Sequence, residues 1–360
     1  MNEFIDFERL QRIGLSPTLQ RDLALLPPPG DDERIYRVTE VQRSGPTLHD
    51  GEHEYPARAL PAVMNQLRAD ADALAVGDWV FAATNTLGER WVQRRLAPRN
   101  QIARRLHDGR DKIERVVIVS NVDTALLVMG LDADYNLRRL ERYLALVRMA
   151  RVGAVVVLTK ADLCADTSER LRRVQAMLPP DAAVVAVNAL DMQAASMLQP
   201  WLGIGQTLVL LGASGTGKST LTNSLVGAPL QVTGANRSGD NRGRHTTTAR
   251  SLHVTAGGAC IIDTPGLRTL RLDGDADALG GVFGDIAGLA LQCRFRDCRH
   301  GTEPGCAVRE AVPVERLRSY QKLLREARRD SLSLLEKQQL QARWKVHSRA
   351  ARERDKARRG

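Results

Sequence analysis

"VVVLTKADL" at positions 155–163 is an apolar run that ends in Thr-Lys-x-Asp, and "GASGTGKST" at positions 212–220 follows it later in the chain. The second stretch fits the pattern G-x-x-x-x-G-K-[ST] and lies between an apolar "TLVLL" and a helix-forming "TLTNSLVG". Glycines let backbone N–H groups curl around phosphate oxygens, and the following helix adds its positive N-terminal end. The second stretch therefore predicts a phosphate-binding loop.

Two side chains of this loop have predicted chemical roles. Lys218 would reach the β- and γ-phosphates of a nucleotide and assist catalysis, and the Ser219 hydroxyl would be a ligand of Mg²⁺. The residues of the loop that are predicted to bind the nucleotide are Gly212, Ala213, Ser214, Gly215, Thr216, Gly217, Lys218, Ser219 and Thr220.

The first stretch has the residues of a guanine pocket. Asp162 can accept hydrogen bonds from N1–H and the 2-amino group of guanine, two donors that adenine does not present together, and Lys160, after Thr159, would lay its stem on the base. A later apolar strand, "VVAVNAL", ends at Asn188-Ala189, where the Ala189 backbone would contact the guanine carbonyl. An isolated Thr-Lys-x-Asp would be interpreted as a capped strand end, but this strand–helix–strand spacing favours guanine.

The order of the two stretches is inverted relative to an ordinary GTPase, in which the guanine signature follows the phosphate loop. A parallel sheet with helices on both faces tolerates this rewiring, because its ligand is bound by the loops at the carboxyl ends of the strands. Apolar strands alternate with helical stretches between about 109 and 274. The sequence predicts a circularly permuted α/β GTPase domain over 109–274.

The segment after the phosphate loop contains the predicted magnesium and switch residues. "DTPG" at 263–266 follows an apolar strand, so Asp263 would hold Mg²⁺ and the Gly266 N–H would contact the γ-phosphate. The polar loop at 234–250 contains "HTTT", from which Thr247 is predicted to close on Mg²⁺ and His245 to orient or deprotonate water. The alternative interpretation is a polar loop that only leads into the next strand.

A cysteine cluster follows the α/β region. Its spacing is Cys293-x4-Cys298-x-His300-x5-Cys306 in a polar, arginine-rich segment. Three thiolates and one imidazole suit a closed tetrahedral structural Zn²⁺ site, one ion per chain. The sequence therefore predicts a zinc-binding domain over 275–325, with a basic helical tail over 326–360.

The N-terminal region has a different texture. Residues 1–33 predict a helical leader and linker that contains the breaker "PPPG" at 27–30. Short β-like runs from 34 to 108, separated by turn formers, predict a small closed barrel. An oligonucleotide-binding (OB) barrel is favoured, and an SH3-like barrel fits the pattern nearly as well.

Charge and composition limit the partners and the compartment. The chain has a formal net charge of +10, and residues 316–360 alone carry fifteen Lys/Arg against five Asp/Glu. Such clustered charge indicates a phosphate-rich partner, with a solvated helix as the alternative. The five cysteines are too few and too unevenly placed for a disulfide framework, and no apolar run is long enough to cross a bilayer. A cytoplasmic protein that does not bind membranes is expected.

These motifs, in the order "TKADL", "GASGTGKST", "GRHTTT", "DTPGL" and "CRFRDCRH…EPGC", resemble the RsgA (YjeQ) family of small-ribosomal-subunit biogenesis GTPases. The resemblance implies a late-stage assembly factor that docks in its GTP form on the small subunit and its ribosomal RNA. It implies hydrolysis to GDP stimulated by the subunit, release in the GDP state, and a monomer. It also places His245 at the family's proposed catalytic histidine.

Three other functions stay open at this point. The first is a permuted GTPase that acts on another RNA target, such as the large subunit or transfer RNA. The second is a nucleotide-switched RNA-binding scaffold with little turnover, because Leu267 stands where many GTPases carry a water-positioning glutamine. The third is an ATPase, which would have no use for Asp162.

Overall fold

The fold consists of an N-terminal barrel, a six-stranded α/β sheet and a helical C-terminal module. The computed structural model describes residues 5–27, 29–30, 32–107, 113–191, 193–227, 250–264 and 276–331. No helix within these ranges is long and apolar enough to cross a membrane.

The barrel is closed by five strands in the order β1-β2-β3-β5-β4-β1, with β3 parallel to β5 and the other pairs antiparallel. A helix, α3, connects β3 to β4 and begins at Pro61, where proline needs no hydrogen-bonded N–H. This strand order with this connecting helix is that of an OB barrel, so the favoured prediction is confirmed. The elements are β1 (Glu33–Gln42), β2 (Gly45–His49), β3 (Glu54–Ala59), α3 (Pro61–Ala69), β4 (Trp79–Thr84) and β5 (Arg90–Arg95).

Two strands of the barrel, β1 and β4, are buried on both faces over part of their length. Along β1, Tyr36 and Val38 point into the barrel interior, whereas Ile35 joins the core outside it. Along β4, Val80 points inward and Trp79 packs in the outer core. Because successive side chains of a strand point to opposite faces, the outward-facing residues of the barrel pack into the core that the rest of the molecule shares.

Two further strands, β6 (Gln101–His107) and β7 (Ile113–Ser120), form an antiparallel hairpin that leads from the barrel to the α/β sheet. The sheet has the order β10-β9-β8-β11-β13-β12, and all neighbours are parallel except β12. The single pair Glu40–Ser251 joins β12 to β1 of the barrel. The sheet elements are β8 (Thr124–Gly130), α4 (Leu137–Met149), β9 (Gly153–Thr159), α5 (Thr167–Met177), β10 (Ala183–Ala186), α6 (Gln193–Leu198), β11 (Thr207–Leu211), α7 (Lys218–Val226), β12 (Ser251–Val254) and β13 (Cys260–Asp263).

Apolar side chains cover both faces of this sheet. In β8, Leu126 and Val128 contribute to one core and Leu127 and Met129 to the other, as alternation along a strand requires. The first core includes residues of α6 and α7, and the second includes residues of α4. The prediction of a parallel sheet with helices on both faces is confirmed.

The N-terminal helices α1 (Phe7–Gln11) and α2 (Pro17–Ala24) are part of the fold's main core. They are joined to the barrel through Arg37 of β1, whose guanidinium is completely buried. Its Nη1 donates to the carbonyl of Ile13 at 2.5 Å, its Nη2 donates to that of Asn121 at 3.3 Å, and it stacks on Trp79 at 5.2 Å. One buried arginine therefore connects the leader, the barrel and the segment before β8.

The C-terminal module packs on α4 of the sheet. It comprises a 3₁₀ helix at Ala276–Gly281, α8 (Gly284–Ala290), α9 (Ala307–Ala311) and α10 (Val314–Ser331). Arg316 of α10 donates to Glu141 of α4 at 2.6 Å, and Arg142 of α4 forms a bidentate ion pair with Glu326 at 2.6 and 2.9 Å. The ring of Tyr320 packs against that of Phe283, with their centroids 5.2 Å apart and their planes inclined by 59°. These contacts fix the module against the sheet.

A buried carboxyl group beneath the barrel makes stability depend on pH. Asp78 is fully buried, accepts a hydrogen bond from the Ala75 N–H at 2.9 Å and lies 3.6 Å from Arg95. Burial outweighs the pull of Arg95 and raises the pKa of Asp78 to about 6. Because the pKa of Asp78 is higher in the folded chain than in the unfolded chain, protonated Asp78 adds to the free energy of unfolding. This contribution is complete below the unfolded pKa of 3.8 and is lost as the pH rises through 6.

We expect the Asp78→Asn variant to lose this pH dependence. Between pH 4.5 and 7.5, its loss of unfolding free energy should be smaller than that of the wild type by about 2 kcal/mol. Urea unfolding at the two pH values measures the difference, and Asp22→Asn on the exposed side of α2 is the control. Identical pH profiles for Asp78→Asn and the wild type would refute this account.

Candidate functional site

The predicted phosphate loop lies between β11 and α7, at the carboxyl edge of the sheet. β11 is buried along its whole length and ends at Leu211. A Cβ on Gly212 would lie 2.4 Å from the carbonyl oxygen of Val128, so only glycine lets the loop leave the strand so close to β8. Gly217 adopts φ 88° immediately before α7 begins at Lys218. The local structure is the strand–loop–helix that the sequence predicts.

Lys218 is held inside this loop. Its side chain is buried, and its Nζ donates to the carbonyls of Ala213 at 2.7 Å and Gly212 at 3.1 Å. Burial lowers the pKa of Lys218, and the nearby charge of Asp263 acts in the opposite direction. Asp263 is fully buried at the end of β13, the neighbour of β11. Lys218 and Asp263 therefore lie close together, as a phosphate and Mg²⁺ site requires.

The guanine motif lies at the same edge. β9 ends at Thr159, Lys160 has a left-handed φ of 59°, and Asp162 is exposed in a short 3₁₀ turn. The neighbouring strand β10 leads to Asn188, whose Oδ1 accepts from the Leu190 N–H at 3.0 Å, and to the buried Ala189. Parallel strands place their carboxyl ends side by side, so the two predicted guanine segments are adjacent.

Two hydrogen bonds join the guanine motif to the phosphate loop. The Thr159 hydroxyl donates to the carbonyl of Thr216 at 2.6 Å, and Lys160 Nζ donates to that of Gly215 at 2.9 Å. The two loops are therefore connected by direct hydrogen bonds, although they are far apart along the chain.

Three of the predicted site residues lie outside the described residues. These are His245 and Thr247, which follow α7 in the sequence, and Gly266, which follows β13. The ends of the elements next to them are described: α7 ends at Val226, β12 begins at Ser251 and β13 ends at Asp263. Their roles stay predictions.

The cysteine cluster has the geometry of a tetrahedral metal site. The ligand atoms of Cys293, Cys298, His300 and Cys306 all lie within 4.8 Å of one another. The Sγ atoms of Cys293 and Cys306 are 3.9 Å apart, and His300 Nδ1 is 3.7 Å from the first and 3.4 Å from the second. Zn–S bonds near ~2.3 Å in a tetrahedron place sulfur atoms about 3.8 Å apart. The cluster therefore fits Zn²⁺.

Local structure preorganises these four side chains. His300 has a left-handed φ of 56°, and its carbonyl accepts from Gln321 Nε2 of α10 at 3.0 Å. Cys306 is the N-cap of α9, and its Sγ accepts from the Arg309 N–H at 3.5 Å. The cluster is thus bound to both helices that follow it, and a metal there would stabilise the whole module.

One polar residue at the nucleotide edge was not found from the sequence. Asp132 lies just after β8, and its Oδ2 is 2.6 Å from Lys160 Nζ. It belongs to no recognised motif, and an acidic residue after a strand is common. The feature of the sequence that could have indicated a role for Asp132 is its position just after β8, the strand that lies between β9 and β11 in the sheet.

Comparisons with known proteins agree with this geometry. The RsgA GTPase family model matches residues 96–273. The chain is 44% identical over 293 residues to "Small ribosomal subunit biogenesis GTPase RsgA" of Xanthomonas campestris pv. campestris (strain B100), covering 80% of this chain and 79% of the relative. It is 41% identical over 322 residues to "Small ribosomal subunit biogenesis GTPase RsgA 2" of Vibrio vulnificus (strain CMCP6), covering 88% and 87%.

Two solved structures share the fold. YjeQ from Thermotoga maritima is similar with a TM-score of 0.58 and 24% identity, covering 82% of this chain and 98% of that one. YloQ, described as a circularly permuted GTPase, is similar with a TM-score of 0.55 and 21% identity, covering 84% and 98%.

Asp162→Asn is expected to change the base preference from guanine to xanthine. Xanthine carries an oxygen at the position of the guanine 2-amino group, and an asparagine amide can donate to it whereas a carboxylate cannot. Binding of GDP should weaken by about 100-fold or more, and binding of XDP should strengthen, because a buried unpaired polar group is costly. Titration of both nucleotides measures the change. Unaltered preference for GDP would exclude Asp162 from base recognition.

Removal of the metal is expected to destabilise the C-terminal module. The purified chain should contain one zinc ion, and a strong chelator or Cys306→Ser should remove it and lower the unfolding temperature. Cys164→Ser, outside the cluster, is the matched control and should keep the zinc content and stability of the wild type. Zinc analysis combined with thermal unfolding tests this, and full zinc content in Cys306→Ser would contradict it.

Proposed function

The chain belongs to the RsgA GTPase family, and on that premise we propose that it binds the small ribosomal subunit and acts as a late-stage assembly factor. Like the family, it is a hydrolase that acts on GTP. The observation that carries the proposed target is 44% identity, over 80% of the chain, to a relative named for small-subunit biogenesis. The two hydrogen bonds between the guanine motif and the phosphate loop support a single nucleotide site built from both segments.

The proposed nucleotide site uses the loops at the carboxyl edge. Asp162 selects guanine, the Lys160 stem covers the base, and Lys218 leaves its loop carbonyls to contact the β- and γ-phosphates. Both purine and phosphates would be bound by groups that the sheet already holds in place. The proposed GTP-binding set is Thr159, Lys160, Asp162, Asn188, Ala189, Gly212 to Thr220, Asp263 and Gly266.

For hydrolysis we assign Lys218, Thr247 and His245. Mg²⁺ held by Ser219, Thr247 and Asp263 would neutralise charge on the β- and γ-phosphates. Asp263 and Ser219 offer the oxygen ligands that Mg²⁺ prefers. Lys218 stabilises charge on the transferred phosphoryl group, and His245 orients or deprotonates the attacking water.

The surface of the barrel supports an RNA partner. Arg90 stacks on Tyr55 at 3.4 Å, and Arg58 lies 5.6 Å from the ring of Trp91. The neighbouring cleft, between the β1–β2 and β4–β5 loops, has a volume of about 460 Å³. Arginines on aromatic rings offer both positive charge and a stacking face, and OB barrels bind oligonucleotides in this region.

The zinc module offers a second basic surface. Arg294, Arg296 and Arg299 are exposed around the cluster, together with Phe295. On α10, Arg318, Lys322 and Arg325 are exposed on the side opposite the packed residues. We assign both surfaces to contacts with ribosomal RNA. Because they would contact its phosphate backbone, the affinity for RNA should fall as the salt concentration rises.

In the proposed cycle, the GTP form docks on the subunit, which stimulates hydrolysis, and the GDP form leaves. The chain acts as a cytoplasmic monomer. β13 ends at Asp263, and the 3₁₀ helix of the zinc module begins at Ala276 and contacts α4. A change at the γ-phosphate would therefore reach that module over a short stretch of chain.

The proposed division of the chain is a leader and linker at 1–33, the barrel at 34–108, the GTPase domain at 109–274, the zinc module at 275–325 and the tail at 326–360.

GTP hydrolysis by the purified chain, alone and with isolated small or large subunits, tests this function. Small subunits should raise the rate by about tenfold or more, and large subunits should not, since the proposed surfaces fit one target. Lys218→Ala should abolish the stimulated rate, and His245→Ala should reduce it while leaving GDP binding intact. Asp22→Asn is the control.

The remaining outcomes separate the alternatives. Stimulation by large subunits or transfer RNA instead would assign the chain to another RNA target. Nucleotide-dependent RNA binding with no stimulated turnover would identify a switched scaffold. Either result would overturn the small-subunit proposal.

A further inference from the structure

Lys160 has an unusual conformation and two fixed acceptors. Its left-handed φ of 59° is uncommon for a residue with a long side chain, and it directs the chain sharply away from the line of β9. Its Nζ donates to the Gly215 carbonyl at 2.9 Å on the phosphate loop and to Asp132 Oδ2 at 2.6 Å on the other side. The position of the lysine stem therefore depends on both acceptors.

Asp132 is itself held in place. The Leu131 N–H donates to the Thr159 carbonyl at 2.9 Å, and the Asp134 N–H donates to Asp132 Oδ1 at 3.1 Å. A Cβ on Gly130 would lie 2.6 Å from Oδ1, so the glycine leaves room for this carboxylate. Burial raises the pKa of Asp132, but the hydrogen bonds from Lys160 and from the Asp134 N–H, together with the charge of Lys160, outweigh it, so the net pKa is lowered. The carboxylate is charged at neutral pH.

We propose that Asp132 is a positioning residue for guanine nucleotides: it anchors the Lys160 ammonium so that the lysine methylenes lie along the face of the base. The proposal rests on the proposed function and adds a residue to its guanine site. A lysine stem covers an apolar surface well only while its charged end is held. Without the negative charge of Asp132, Lys160 keeps only neutral acceptors, and its methylenes are held less firmly along the base.

The expected effect is modest and specific to the base. The side chains of Lys160 and Asp132 are 30% and 37% exposed, and ion pairs of this kind contribute up to about 1 kcal/mol, or about fivefold in a dissociation constant. Inorganic tripolyphosphate contacts only the phosphate loop, so its binding should not depend on the lysine stem.

The test is a comparison of GDP and tripolyphosphate binding by the full-length wild type and Asp132→Asn, by titration calorimetry. The dissociation constant for GDP should rise about fivefold, with tripolyphosphate binding and the unfolding temperature unchanged. Asp181→Asn is the matched control, because it removes another carboxylate paired with an arginine at the far end of α4. It should bind both ligands like the wild type.

Three results would overturn the proposal: unchanged GDP binding in Asp132→Asn, equal weakening of both ligands, or the same loss in Asp181→Asn. Each would leave the proposed function intact as long as the wild type binds GDP and Lys218→Ala does not hydrolyse GTP. A wild type without affinity for GDP would instead overturn the proposed function, and this proposal with it.

Discussion

The nucleotide site depends on the hydrogen bond from the Thr159 hydroxyl to the Thr216 carbonyl. Thr159 is completely buried, so this bond is formed away from water, where breaking it would leave a buried acceptor unpaired. In the sheet, β8 lies between β9, which ends at Thr159, and β11, which leads into the loop that contains Thr216. The bond therefore fixes the distance between the predicted base-binding and phosphate-binding segments.

Circular permutation leaves this constraint intact and changes what is attached to it. A parallel sheet binds its ligand with the loops at one edge, whatever their order along the chain. With the predicted guanine segments first in the chain, the predicted phosphate loop and Asp263 come later, and the C-terminal module follows them in the sequence. That module returns to the sheet through ion pairs of Arg316 and Glu326 with α4. The module is thus connected to the sheet both along the chain and through the ion pairs with α4.

The barrel is joined to the sheet by polar contacts as well as by packing. Arg37, buried between the leader and β8, donates to backbone carbonyls of two segments far apart in the chain. Asp78 carries a charge that burial disfavours at neutral pH. Buried groups of this kind add little stability and instead require one relative placement of the elements that supply their partners.

The sequence by itself determined the strand–loop–helix of the phosphate-loop motif, the Cys/His cluster and the permuted order, because these follow from short runs of residues with a characteristic spacing and from the order of those runs. The tertiary structure decided what joins distant residues. It separated the OB barrel from the SH3-like alternative by the parallel pairing of β3 with β5. It showed that a threonine hydroxyl braces the loops, and it brought Asp132 to Lys160. Such contacts leave no periodic pattern, since their partners come from different strands and meet only when the sheet is formed.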